Sequence, residues 1–198
     1  MKDKRLLLVL VGHPLSGKDT VGKYLASDYG FEHTATGRLL RAYMKDNDCG
    51  TPTRTLMQSV ANEVRARYGV DHFLRLALET EATRVVVDGL RTMGEIESAR
   101  AAGCAIISVD APIEKRYQWA VSRGRASDRG TFEEFAAQEQ AENRSSKASE
   151  QSVDDVVAVA DYVINNNTDL VGLLSATDEL MKRLGINKVR KGSDASTR

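Results

Sequence analysis

The chain has 198 residues, 41% of them hydrophobic, with 28 basic and 28 acidic side chains. That length suits one globular domain able to bury its own core, and zero formal net charge argues against a general nucleic-acid or membrane-surface binder. Its two cysteines, Cys49 and Cys104, fit neither a disulfide framework nor a zinc site. No signal-peptide pattern precedes the first apolar run, so a cytoplasmic location is expected.

That first run, Leu6 to Val11, is six apolar residues long. It is too short to span a membrane and too continuous for a half-exposed strand, so it reads as a strand buried on both faces of a parallel sheet. Gly12-x4-Gly17-Lys18 follows at once. Glycines at that spacing let backbone N–H groups turn inward around a phosphate, and a lysine there reaches the terminal phosphates. A helix starting near Lys18 points its N-terminal dipole at the same anion. Residues Gly12, His13, Pro14, Leu15, Ser16, Gly17, Lys18, Asp19 and Thr20 are therefore the expected nucleotide loop, with His13 read as a spacer. Asp19 stands where Ser or Thr is usual. A carboxylate offers Mg2+ the same hard oxygen chemistry, and Thr20 adds a hydroxyl for the metal or the α-phosphate.

The first helix is expected to stop at Gly30, with Val21, Tyr24 and Leu25 on its buried face. Phe31 to Thr34 forms a short second strand. Thr36 to about Lys45 is a helix and 46–52 a loop. Thr53 caps a helix ending at Gly69, and Asp71 caps another. Arg84 to Asp88 is a third, buried strand, followed by a helix from about Gly94 to Ala102. Ala105 to Val109 is the fourth strand. Pro112 opens a helix ending near Gly124, and the Thr131-x-x-Glu134 spacing opens a polar helix running to about Lys147. Tyr162 to Asn165 is the fifth strand. A last helix spans about Asp169 to Leu184, with Leu170, Leu173, Leu174, Leu180 and Met181 facing the core. Residues 188–198 read as a disordered tail.

This alternation predicts an α/β fold of three layers: a five-stranded parallel sheet with helices on both faces and ligands at the strands' carboxyl ends. Three groups stand just past those ends: 12–20, 36–41 and 88–91. Asp88, ending a buried strand, either serves Mg2+ or opens the turn at Gly89. Arg38, Arg41, Arg91, Arg116, Arg123, Arg125 and Arg129 include guanidinium forks suited to a phosphoryl group in transfer.

The segment Thr36-Gly-Arg-Leu-Leu-Arg41 resembles the acceptor-side segment of adenylate kinases, and Asp88-Gly-Leu-Arg91 resembles their Asp-Gly-x-x-Arg run shortened by one residue. Closer still is the similarity to archaeal-type proteins related to dephospho-CoA kinase and adenylate kinase. It rests on Asp88 to Glu95, Asp110 to Pro112 and Ala160 to Asn165, and it extends over roughly residues 6 to 184. The resemblance implies a P-loop NTPase-fold kinase using ATP and Mg2+, with an acceptor-side helical segment at about 36–83 and a lid at about 123–150. By the resemblance, Thr36, Arg41 and Arg91 would hold the acceptor phosphate, and Arg123 and Arg125 would sit in the lid and act on the transferring group; the residues themselves put Lys18 and Arg91 at that group, Arg38 beside the acceptor, and Asp19, Thr20 and Asp88 at the metal.

Two departures stand out. The related segment usually has an acid where this chain has Arg38. Trp119 lies four residues before Arg123, where relatives often place an arginine near the adenine; stacking on a base and packing in the helix are both open to it. An acceptor hydroxyl needs a carboxylate base, whereas a monophosphate is already anionic and needs cations. Arg38 therefore favours a nucleoside or deoxynucleoside monophosphate over dephospho-CoA, with Asp88 or Glu95 left as stand-in bases. A nucleotide-binding regulatory ATPase without a small acceptor is the rival class.

Overall fold

A computed structural model describes residues 5–124, 130–142 and 152–189. Five strands, β1 (Leu6–Val11), β2 (Glu32–Ala35), β3 (Arg84–Asp88), β4 (Ala105–Asp110) and β5 (Tyr162–Asn165), form one parallel sheet in the order β2-β3-β1-β4-β5. The three most apolar runs of the sequence are its central strands, buried on both faces, with Ser108 of β4 a buried polar exception. The two shorter strands take the edges.

Side chains alternate along each strand. Leu8, Leu10, Val86, Ile107 and Val109 face α1 (Lys18–Tyr29) and α9 (Leu170–Arg183), meeting Val21, Leu25, Leu173, Leu180 and Met181. Val9, Val11, Val85, Val87 and Ile106 face the other way, onto α4 (His72–Leu78), α5 (Met93–Ala101) and α8 (Val153–Ala158). A satellite core around Met44, Val60, Val64 and Phe73 joins α2 (Thr36–Asp46) and α3 (Arg54–Tyr68) to α4. Helices α6 (Ile113–Arg123) and α7 (Phe132–Glu142) follow β4.

Three expectations need correction. Helix α8 lies in a stretch without an expected element; at six residues it is too short to display a period, and its first turn carries Asp154 and Asp155. Leu170 does not face the core but is 58% exposed at the first position of α9. Lys188 and Val189, expected to begin a loose tail, are docked: Lys188 Nζ donates to Asp178 Oδ2 (2.8 Å) and Tyr24 Oη (2.7 Å), and Val189 N donates to Asp28 O at 2.9 Å. Residues 190–198, and the expected helix beyond Glu142, lie outside the described residues.

The turn after β3 is fixed by Glu95. It is fully buried, and its Oε2 accepts from Arg91 N (2.8 Å), Thr92 N (3.0 Å) and Thr92 Oγ1 (3.1 Å), while Thr92 Oγ1 accepts from Glu95 N. Oε1 accepts from Nε (3.1 Å) and Nη2 (3.0 Å) of the buried Arg65 on α3. A capping box and a buried ion pair thus share one carboxylate. With both oxygens engaged, Glu95 is a strut and not the stand-in base that its position in the sequence allowed. Removing one partner of such a pair leaves a charge buried alone, so Glu95→Ala and Arg65→Ala are each expected to lower unfolding free energy by about 3–5 kcal/mol. The double variant should lose clearly less than the sum, as measured by urea unfolding of all four proteins.

Candidate active site

The loop between β1 and α1 is pressed against the sheet. At Gly12, φ is +141°, and an added Cβ would lie 2.3 Å from Val109 O on β4, so no other residue fits there. Leu15 takes the left-handed conformation (φ +65°) that turns the loop back on itself. From beyond β5, buried Asn166 donates through Nδ2 to Ser16 O at 3.0 Å and braces the loop from behind. The α1 N-cap residue, Gly17, supplies no side-chain hydrogen bond to the first turn, and Ser16 Oγ is buried without a partner. Uncapped helix amides beside an orphaned hydroxyl fit a phosphate group.

Lys18 closes the loop upon itself, its Nζ donating to Gly12 O (2.8 Å) and His13 O (2.7 Å). Loss of solvation draws its pKa down to about 8; the Asp88 carboxylate opposes that shift, and the Arg91 and Arg116 guanidiniums add to it. Lys18, Asp88 and Arg91 therefore share one electrostatic neighbourhood, as their places past two strand ends suggested. His13 does more than space the loop: its Nε2 lies 3.1 Å from Asp154 Oδ1 on α8. Burial, then Arg116, lowers its pKa, against Glu139 and Asp154.

Arg116 is 5% exposed, donates from Nε to Ala111 O at 2.9 Å and forms a buried ion pair with Glu139 of α7. Sequence reading counted Arg116 among several arginines and gave Glu139 no role, because two residues on separate helices carry no joint signal.

On the acceptor side, Thr36 is buried and its hydroxyl donates to Gly89 O at 2.9 Å, tying the start of α2 to the end of β3. Arg38 and Arg41 are exposed and turn to different partners, Nη2 of Arg38 to His33 O (2.6 Å) and Nη1 of Arg41 to Gly37 O (2.8 Å). Thr20 is half-buried in the first turn of α1, Trp119 half-buried on α6, and Arg123 exposed at its end. Arg125 and Arg129 lie outside the described residues.

The expected metal carboxylates do approach each other, and a residue overlooked in the sequence joins them. Asp19, His33 and Asp88 bring their ligating atoms within 4.8 Å of one another. An open cleft of about 600 Å³, lined by Asp19, Lys23, Ala26, Ser27, His33 and Arg38, leads to the group. Two carboxylates and an imidazole are a donor set that fits a divalent cation.

A family model described as an AAA domain matches residues 11–136. The chain belongs to that family. A UPF0200 protein of Thermococcus sibiricus is 29% identical over 195 residues, spanning 92% of this chain and 97% of that protein. Among solved structures, TT1252 from Thermus thermophilus matches at TM-score 0.59 and 20% identity, covering 92% of this chain and 99% of that one. Shikimate kinase from Bacteroides thetaiotaomicron matches at 0.53 and 15%, covering 91% and 98%. The fold is that of the P-loop kinases. No helix among the described residues is long and apolar enough to cross a membrane.

A phosphate bound in this loop is attracted by the protonated form of Lys18. With a free-protein pKa of about 8, the charge is complete well below that pH and is lost above it. The Kd for ADP, measured in a chelator so that no metal contributes, should weaken by up to about tenfold per unit above about pH 8, where the phosphates are already fully ionised. Calorimetric titration across that range checks it, with Lys18→Met expected to show no such break.

Proposed function

We propose that this protein transfers the γ-phosphoryl group of ATP to a phosphate oxygen of a nucleoside or deoxynucleoside monophosphate, forming the new P–O bond as ADP leaves. The observation that carries this reading is the placement of Lys18 over the loop, within the field of Arg91 and beside the Asp88 carboxylate. Transfer of this kind needs little covalent chemistry from the protein, only positioning and cations around the spreading negative charge. Lys18 would turn from the loop carbonyls to the β- and γ-phosphates, and the uncapped first-turn amides of α1 would hold the remaining oxygens. Asp19 and Asp88, with Thr20 beside them, would hold Mg2+, which would supply positive charge against the phosphates' developing negative charge. Arg41 and Arg91 would bring in the acceptor phosphate from the α2–α4 side, with Thr36 fixing the start of α2. Arg123 and Arg125 would close over ATP as part of a lid.

The choice of acceptor rests on which acids are free to act. A hydroxyl acceptor such as dephospho-CoA requires a base. Position 38 offers a guanidinium, and both oxygens of Glu95 are engaged. A monophosphate needs only the cations. Membership of the dephospho-CoA-kinase-related group, suggested by the run Asp88 to Glu95, would put Asp88 in the place of that base.

Purified protein with ATP and Mg2+ should form ADP rapidly only when one of the common nucleoside or deoxynucleoside monophosphates is present. Exclusive use of dephospho-CoA would overturn the choice of acceptor, and ATP turnover indifferent to every acceptor would replace transfer with a regulatory ATPase. Lys18→Ala should reduce transfer by about 100-fold or more while leaving the circular dichroism spectrum unchanged.

A further inference from the structure

His33 sits on the edge strand β2, two residues out of register with Asp88: in the β2–β3 ladder it pairs with Val86, and Ala35 pairs with Asp88. Its side chain is 7% exposed. Nε2 is buried with no hydrogen-bond partner, and Asp88 Oδ2 stands 3.9 Å away, too far for a hydrogen bond. A buried polar atom left without a partner is costly, and here the atom faces two carboxylates instead of an apolar wall. The backbone of α1 packs over the imidazole at a glycine. Gly22 lies three residues after Asp19, on the same side of the helix, and a Cβ there would lie 2.4 Å from Nε2. Any other residue at that position would seal the imidazole off from Asp19.

We propose that Asp19, His33 and Asp88 form a divalent-cation site that takes a first-row transition ion of the Co2+ or Zn2+ class in the absence of nucleotide. An ion with ligand bonds of about 2.1 Å holds tetrahedral donors about 3.4 Å apart. The three ligating atoms, within 4.8 Å of one another, need close only modestly to reach that spacing. One nitrogen among the donors moves preference away from Mg2+, which favours an all-oxygen shell and sheds its water reluctantly. Asp19 Oδ2 is held by Lys23 at 2.6 Å in an exposed ion pair, a contact that costs little to break. The cleft lined by Asp19, Lys23, His33 and Arg38 gives the ion its way in and leaves room for water on its open side. This site goes beyond the phosphotransfer reading, because it loads without ATP and its donor set does not depend on the acceptor.

The test uses full-length wild-type protein free of nucleotide, titrated with Co2+, Zn2+ or Mg2+ alone. Co2+ should bind one equivalent with visible d–d absorption, about tenfold or more tighter than Mg2+. Asp19→Ala, a change at an exposed position, and His33→Asn should each weaken Co2+ by about tenfold or more. In long-range 1H–15N spectra of the wild type, which carries three histidines, Zn2+ should shift the His33 ring resonances and leave those of His13 and His72 in place. The spectra settle the ligand even if His33→Asn fails to fold. Equal Co2+ and Mg2+ affinity, Co2+ binding that survives His33→Asn, or unmoved His33 resonances would each overturn the proposal.

Discussion

Leu10, Asp88 and Ala35 lie abreast in three neighbouring strands, Leu10 paired with Asp88 and Asp88 with Ala35. Parallel strands must all end on the same side of the sheet, so this register brings the turn at Gly12, the turn at Gly89 and the start of α2 to one edge. Everything at the site follows from that alignment. Thr36 can reach Gly89 O, His33 can face Asp88, and Lys18 can feel both Asp88 and Arg91. Slipping β2 by one residue would send its side chains to the opposite face and carry His33 away from α1.

The charges gathered there oppose one another in pairs. Burial leaves Lys18 less basic than in water; Asp88 and Glu139 oppose that shift, and Arg91 and Arg116 add to it. Its ammonium rests on two carbonyls. Glu139 comes from α7 and Asp154 from α8, so helices distant in sequence supply the counter-charges for the loop. An arriving phosphate therefore meets donors already in place, and the cost of holding cations together is carried by the fold.

What could be read from the sequence was what is local. The central strands were legible because burial on both faces forces an unbroken apolar run, and the loop was legible because its glycines, Lys18 and the flanking strand occur within one short stretch. Asp88 was legible from its place at a strand end. His33 was not: a lone histidine on an edge strand acquires meaning only through Gly22 and Asp88, which reach it through the fold. Glu95 was misread for a related reason. The Thr92-x-x-Glu95 spacing is that of a capping box, as at Thr131 and Glu134, but Arg65, which consumes the other oxygen, lies thirty residues earlier.

Asp19, where a phosphate loop usually carries a hydroxyl, and Arg38, where the resemblance led to an acid, looked independent in the sequence. Both side chains line the same cleft. Asp19 lies in the first turn of α1, where the helix N-terminus stabilises its negative charge. Arg38 in turn donates to the carbonyl of His33 at 2.6 Å, so the substituted cation braces the backbone that carries the imidazole. The two residues thus brace the edge strand β2 with a cation and bring a carboxylate within 4.8 Å of the ligating atoms of Asp88 and His33.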